Sequence, residues 1–211
     1  MATSRARYAS GELTRTRLIE SAERLFAERG YNAVSLNDIR QAADQHNASA
    51  ISYHFGSKAN LLQAVFEHRL PSINADRNEV VATLYRDATP PTTRAALWAT
   101  VRPLANTLGG GNHYVGVLDQ LLTAGLLTEH FMAIDASVNE SGRVVVEALR
   151  TSVAHLPPEA AELRLELVFK SMLRHLADLG RKGLAPTTAE LTAAIDAWEG
   201  LLLAPVSSPG V

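Results

Sequence analysis

The sequence predicts an all-α protein of about nine helices, three short ones followed by a larger helical region. Ala and Leu, which favour helices, are abundant, and aromatic residues make up only 6% of the chain. Apolar residues recur at helical spacing along most segments, and Gly, Pro or N-capping residues separate those segments. The 211 residues are enough for one large or two modest domains.

The first helix is predicted from Glu12 to Arg29. Apolar residues recur along it at helical spacing: Leu13, Leu18, Ala22, Leu25 and Phe26. Gly30 follows, and glycine tolerates the left-handed conformation that ends many helices. We therefore expect one amphipathic helix that buries a single face.

Two shorter helices follow, joined by a tight turn. Ser35 is placed to cap the second helix, with Asp38 three positions later as the reciprocal partner of a capping box. The turn is predicted at 44–47. Asn47 is expected to cap a third helix that runs from Ala48 to Phe55.

The rest of the chain is also predicted to be helical. Ser57 caps a fourth helix, which Pro71 should kink or interrupt before it resumes to about Arg86. Glycine- and proline-containing breaks then separate five further helices, predicted at Thr93–Leu108, His113–Ala124, Glu129–His155, Pro158–Lys182 and Thr188–Leu203. The tail, 205–211, is expected to be disordered.

Composition excludes several classes of protein. The chain has no cysteine, which excludes disulfides and thiolate chemistry and is compatible with the reducing cytoplasm, where we expect the protein. No signal peptide and no apolar run of membrane-spanning length is found, so no membrane association is expected. A net charge of −2 argues against a protein that coats nucleic acid without selectivity.

The predicted third helix has two different sides. One side carries Ala48, Ile51 and Phe55, and the opposite side carries Ser49, Ser52 and Tyr53. Short hydroxyls and a phenol can approach DNA bases and phosphates without a carboxylate to repel the backbone. Any small amphipathic helix has a polar outer side, so this face alone leaves DNA binding and simple solvation both open.

A longer pattern gives the DNA-binding interpretation more weight. The run Tyr53-His54-Phe55-Gly56-Ser57-Lys58 resembles the signature of the tetracycline-repressor (TetR) family of bacterial regulators. Other segments also resemble helices of that family: 16–19 and 22–31 the first helix, 34–39 the second and 61–62 the fourth. The resemblance covers about residues 14 to 70 and implies a helix-turn-helix head that binds double-stranded DNA.

The resemblance, together with the outer face of the third helix, indicates a set of DNA-contacting residues: Ser35, His46, Asn47, Ser49, Ser52, Tyr53, His54 and Lys58. Lys58, in the first turn of the fourth helix, is expected to meet a phosphate. His54 is equally compatible with a packed structural histidine. The turn before the third helix is one residue longer than in many family members, so base contacts are not transferred from them.

The sequence shows no motif for a catalytic, metal or cofactor site. Gly56-Ser57-Lys58 lacks the spacing and the preceding strand of a phosphate-binding loop. The seven histidines form no zinc-type pair. We therefore expect no enzyme and no cofactor, although a helical enzyme or carrier with a DNA-binding head stays an alternative.

The family resemblance implies that the later helices bind a small-molecule effector. Polar, aromatic and methionine side chains within these helices are candidates to line its pocket: Trp98, Arg102, Asn106, His113, Tyr114, Gln120, Phe131, Met132, Arg143, Met172 and His175. For each of them, ordinary placement in the core or on the surface is the alternative. The sequence does not identify the effector.

The last two predicted helices favour a homodimer. The eighth is apolar nearly all round, and the ninth has a clear apolar stripe. The candidate interface residues are Phe169, Leu173, Leu176, Leu191, Ile195 and Trp198. In the family the corresponding helices form a four-helix dimer interface, whereas a purely internal bundle would bury the same residues within one chain.

Together these observations predict a DNA-binding domain at 1–57 and an effector-binding and dimerisation domain at 58–204. The expected function is that of a homodimeric repressor that binds an inverted-repeat operator and that a small molecule releases. A ligand-dependent activator is the alternative that keeps the same DNA-binding domain.

Overall fold

The computed structural model describes residues 2–84, 91–135 and 138–206, with side chains at 11–83, 91–135 and 138–206. The regular structure in these ranges is entirely helical, which confirms the predicted all-α fold. The helices are α1 (Ala2–Arg29), α2 (Leu36–Ala42), α3 (Ala50–His54), α4 (Lys58–Leu84), α5 (Thr93–Ala105), α6 (Tyr114–Thr123), α7 (Leu127–Met132), α8 (Glu140–Ser152), α9 (Pro158–Arg181) and α10 (Thr188–Leu203). The predicted helix end at Arg86 and the tail 207–211 lie outside the described residues.

The described ranges contain ten helices where the sequence predicts about nine, because the predicted helix Glu129–His155 is divided. Its first part is α7 and its second part is α8. Asp135 and Asn139 lie between them, and such side chains favour turns and caps over helix interiors. The Val138 amide donates to the Asp135 carbonyl at 3.1 Å, which forms a turn in place of a continuous helix.

Two other predictions are wrong in detail. α1 begins at Ala2, ten residues before the predicted start, and Leu13 on its predicted apolar face is 55% exposed. Pro71 lies inside α4, so the predicted alternative of an interrupted helix is wrong. Proline has no amide proton to donate to the Glu67 carbonyl. Pro71 and Glu67 are both exposed, so that carbonyl lies on the outer side of the helix.

The described chain divides into two compact units. The N-terminal unit comprises the chain through Leu70 together with Asn112–Ile134, and the C-terminal unit comprises Pro71–Gly111 together with the chain from Asp135 onward. In the N-terminal unit α1 contacts both α2 and α6. Phe26, Phe66 and Tyr114 are among its largest fully buried side chains. Within the described ranges, no helix is long and apolar enough to cross a membrane.

α5 is the central helix of the C-terminal unit, where it contacts α8, α9 and α10. Pro103 lies inside α5 and has no amide proton to donate to the Ala99 carbonyl. Arg77 of α4 supplies the donor instead, since its Nε lies 3.3 Å from the Ala99 oxygen. The guanidinium also donates to Asn74 Oδ1 at 3.1 Å and Ser141 Oγ at 3.2 Å. A buried arginine therefore satisfies the main-chain acceptor that the proline leaves open.

Candidate nucleic-acid interface

The start of α2 is fixed by the capping box that the sequence predicts. The Ser35 hydroxyl accepts from the Asp38 amide at 3.1 Å and donates to Asp38 Oδ2 at 2.6 Å, while the Ser35 amide donates to the same oxygen at 2.8 Å. These bonds hold the pKa of Asp38 below its ordinary value. The Ser35 hydroxyl is exposed but already engaged in the cap.

The turn between α2 and α3 is held by side chains. Asp44 adopts a left-handed conformation with φ 50°, and Arg40 donates to the Gln45 carbonyl at 2.7 Å. Asn47 Oδ1 then accepts from the Ser49 amide at 3.0 Å. This local bond competes with helix formation, so α3 begins at Ala50 and its N-cap is Ser49. The predicted start at Ala48 and the predicted cap at Asn47 are therefore wrong.

The shift of the helix start changes one face of α3. Ala48, which the sequence analysis placed on the buried side, is exposed. Ala50 is buried in its place, together with Ile51 and Phe55. The outer face is unchanged: Ser49 and Ser52 are exposed, and Tyr53 is 83% exposed. α3 therefore presents two hydroxyls and a phenol to solvent, as the sequence predicts.

The junction of α3 and α4 is tight and well bonded. Gly56 has φ 74°, a conformation that side-chain-bearing residues rarely adopt. Asn60 Nδ2 donates to the Phe55 carbonyl at 2.8 Å, and the Asn60 amide donates to the Ser57 hydroxyl at 3.1 Å. Ser57 thus caps α4 as predicted. The cap places Lys58 at the first position of the helix.

Lys58 lies against an aromatic surface. Its Nζ is 4.4 Å from the centroid of the Tyr31 ring and 5.9 Å from that of Phe26. Burial lowers the pKa of Lys58, and the nearby Asp38 carboxylate opposes that shift. Burial, with a smaller contribution from Glu129, raises the pKa of Tyr31, so its ring stays neutral beneath the ammonium.

Tyr31 is a residue that the sequence-based site does not include. It packs against Phe26 on one side, with ring centroids 5.3 Å apart, and against His130 of α7 on the other, at 5.1 Å. Tyr31 follows the glycine that ends α1. Nothing in its local sequence indicates that it lies beside a lysine 27 positions later, because only the folded chain brings the two together.

A buried carboxylate joins three parts of the N-terminal unit. Glu23 of α1 is 1% exposed, and its Oε2 accepts from Arg69 Nε of α4 at 2.7 Å. Its Oε1 accepts from the backbone amide of His113, immediately before α6, at 2.6 Å. Nearby, a Cβ on Gly116 would lie 2.8 Å from the Ala27 Cβ, so α1 and α6 pack at unusually close range. These contacts fix α1, and the helices that it supports, against α6.

The predicted DNA-contacting residues occupy one continuous stretch from the α2–α3 turn to the start of α4, with Ser35 at the start of α2. His46 and Asn47 are exposed in the turn, and His46 Nε2 lies 3.7 Å from Asp44. His54 is half-buried, with its ring 5.1 Å from Tyr53 and 5.9 Å from Phe55. Its placement therefore combines packing with partial exposure.

The predicted effector-pocket residues are distributed over both units. Trp98, Arg102 and Asn106 share one face of α5 and line a cavity in the C-terminal unit. Arg143, Met172 and His175 belong to the same unit but do not line that cavity, and Met172 is buried. His113, Tyr114, Gln120, Phe131 and Met132 belong to the N-terminal unit.

The predicted dimer-contact residues lie mostly inside the single chain. Leu173, Leu176, Leu191, Ile195 and Trp198 are all buried within it, and Phe169 is half-buried. Side chains that the chain covers by itself do not form a surface for a partner. The large apolar residues that α9 and α10 expose are Leu163, Leu167 and Leu203.

Comparison with known proteins gives a family match over part of the chain. Residues 18–65 match the family model of the bacterial regulatory proteins of the tetR family. A comparison with curated proteins gives no match.

Among solved structures, Salmonella enterica GusR is 17% identical over 90% of this chain and 95% of that one, with a TM-score of 0.47. PfmR, a TetR family transcriptional regulator from Thermus thermophilus, is 20% identical over 91% of this chain and 100% of that one, with a TM-score of 0.46. A gamma-butyrolactone receptor (ArpA-like protein) is 20% identical over 80% of this chain and 98% of that one, with a TM-score of 0.39.

The likeness to that family covers residues 18–65. That range begins within α1, contains α2 and α3, and ends in the first part of α4, which are the helices that form the interface described above. Over this range the chain is therefore similar to the bacterial regulatory proteins of the tetR family.

Proposed function

We propose that this chain is a transcriptional repressor that a small molecule releases from its operator. The observation that carries the proposal is the close packing of α6 on α1, where Gly116 meets Ala27 and Glu23 accepts from the His113 amide. α6 follows α5 of the C-terminal unit after a short connection that contains the Gly109–Gly111 run. A ligand-dependent displacement of α6 would therefore move α1 and the DNA-contacting helices with it.

The division of labour that we propose assigns DNA binding to residues 1–57 and effector binding and dimerisation to 58–204. The first compact unit extends further, to Leu70, and includes Asn112–Ile134. In this proposal α6 and α7 are the part of the second region that packs with the DNA-binding helices. We expect the protein to act in the cytoplasm, where it meets chromosomal DNA.

Ser49 and Ser52 are the residues that we propose contact base edges, because their short side chains are exposed on α3. Tyr53, His54 and Lys58 are proposed to contact the phosphate backbone, with Ser35, His46 and Asn47 at the margin of the same surface. Selection of operators from random DNA tests this assignment. Ser52→Gln is expected to change the selected sequence, and an unchanged sequence would contradict it.

A homodimer would supply the affinity that a single small domain lacks. Two such domains related by a two-fold axis should bind an inverted repeat, with half-sites separated by roughly 34–36 Å or somewhat more. We propose that α9 and α10 form the interface through their exposed residues Leu163, Leu167 and Leu203. The proposed contact buries apolar surface that the single chain leaves in solvent.

Repression and release are tested by two measurements. Deletion of the gene should raise transcription from the promoter that carries the selected operator. A fall in transcription would instead favour the activator. A metabolite library is then screened by thermal shift, since a ligand of the folded state raises its melting temperature. A ligand that stabilises the protein should also weaken operator binding, and tighter binding with that ligand would contradict release.

A further inference from the structure

α5 exposes a single polar stripe. Nearly every residue of this helix is buried against α8, α9 and α10. Trp98, Arg102 and Asn106 follow one another at four-residue spacing and therefore share one face of the helix. Arg102 and Asn106 are exposed, and Trp98 is half-buried. With Arg94, which is half-buried one turn earlier on the same face, these residues form the part of α5 that a small molecule could reach.

The stripe borders a cavity of about 590 Å³ within the C-terminal unit. This volume lies within the range of roughly 300–1,000 Å³ that is usual for small-molecule sites. Val80, Ala105, Leu108 and Leu191 are buried and form its apolar part. Arg102, Asn106 and Thr188 contribute its polar groups, and Trp98, Ala185 and Pro186 complete the wall. The lining therefore suits a molecule with an apolar body and a polar end.

Arg102 gives that polar end its charge. The guanidinium makes no hydrogen bond or ion pair with residues of the described ranges, and it is the charged side chain of the cavity lining. Asn106 differs, since its Nδ2 donates to Asp76 Oδ2 at 3.2 Å. Arg94 on the same helix also differs, because Asp196 and Glu199 accept from it at 2.6 and 2.9 Å. The arginine at the cavity is thus the one on α5 that is left available to an anion.

We propose that this cavity binds an amphipathic carboxylate, with the carboxylate on Arg102 and the apolar body against Trp98 and the buried aliphatic residues. Arginine suits this role because its planar guanidinium can donate two parallel bonds to a carboxylate. Trp98 offers a flat apolar face beside that donor. The identification of this ligand as the effector rests on the proposed function, whereas its binding does not.

Isothermal titration with matched probes tests the site. The probes are decanoate, decanol and decyltrimethylammonium, together with 4-phenylbutyrate as a shorter aromatic carboxylate, all below their aggregation concentrations. Decanoate should bind at least tenfold more tightly than decanol, and the cation should bind least. Absence of binding by both carboxylates, or equal affinity for decanoate and decanol, would overturn the proposal.

Arg102→Gln separates the charge from the shape of the cavity. It should weaken carboxylate binding about 10- to 100-fold, as expected for the loss of a charged hydrogen bond, and change decanol binding less than threefold. Arg150→Gln is the matched control, because Arg150 is also exposed in the C-terminal unit but does not line the cavity. Equal losses in the two variants, or none in Arg102→Gln, would refute the role of Arg102. An unchanged melting temperature without ligand confirms that Arg102→Gln is folded.

Operator binding distinguishes failure of the site from failure of the proposed function. A carboxylate that binds through Arg102 and releases the operator supports both. Arg102-dependent binding with unchanged operator affinity supports the site and contradicts its use for release. Release by another compound, without carboxylate binding, supports the function and overturns the site.

Discussion

Glu23→Ala is expected to destabilise the N-terminal unit by about 3–5 kcal/mol, the usual effect of breaking a buried ion pair from one side. The carboxylate is 1% exposed and accepts from Arg69 Nε at 2.7 Å and from the His113 amide at 2.6 Å. The alanine removes the acceptor of both bonds. At about 2–4 °C per kcal/mol for a chain of this size, the melting temperature should fall by about 6–20 °C.

Glu23→Gln keeps an oxygen that can accept from the His113 amide, so a smaller loss of about 1–2 kcal/mol is expected. Urea denaturation of both variants measures the loss, and hydrogen exchange at the His113 amide reports the local bond. Glu20→Ala is the control, since Glu20 is an exposed carboxylate on the same helix and should change stability by about 0.5 kcal/mol or less. If Glu23→Ala behaves like Glu20→Ala, and exchange at His113 is unchanged, the carboxylate does not hold α1 to α6.

The remaining predictions concern DNA affinity, pH and assembly. Lys58→Ala should lower by about one the salt slope of operator binding, which is the slope of log affinity against log salt concentration, measured by anisotropy between 50 and 200 mM salt. Tyr31→Leu should weaken binding but keep that slope, because the charge of Lys58 remains. An unchanged salt slope in Lys58→Ala would contradict a contact between Lys58 and a phosphate. The pKa of Asp38 is lowered in the folded state, so its stabilising effect is present above about pH 4 and is lost as pH falls through the folded value. The melting temperature of the wild type should therefore exceed that of Asp38→Asn at pH 6, and the difference should shrink towards pH 3. A difference that does not change with pH would contradict this. Leu167→Glu, on exposed surface, should sediment as a folded monomer, while Leu173→Glu, in the core, should unfold the C-terminal unit; a dimeric Leu167→Glu would place the interface elsewhere.

Local sequence signals predicted much of the candidate DNA-binding region. The bonds of Ser35 with Asp38 and of Ser57 with Asn60 join residues three positions apart, so they depend on little beyond the local chain. The start of α3 was misplaced by two residues for an equally local reason. The Asn47 side chain bonds to the Ser49 amide across a turn, and a capping residue and a turn residue look alike in sequence.

Contacts between distant parts of the chain could not be predicted in the same way. Glu23 looks like any polar residue of an amphipathic helix until the fold places it beside Arg69 and the His113 amide, 46 and 90 positions away. The apolar residues of α9 and α10 show a similar limit, because a stripe predicts burial without specifying what covers it. Leu173 and Ile195 are covered by the chain itself.

Pro103 has a further consequence for the alignment of α4 and α5. Apolar contacts between helices are compatible with small sliding motions, but a side chain bonded to one particular carbonyl is not. Because the proline leaves the Ala99 oxygen without its helical donor, Arg77 can bond there and select a single register between the two helices. Pro103→Ala would stabilise α5 as a helix, but its backbone amide would compete with Arg77 for the Ala99 oxygen. A residue that weakens one helix in isolation thereby determines how two helices are aligned.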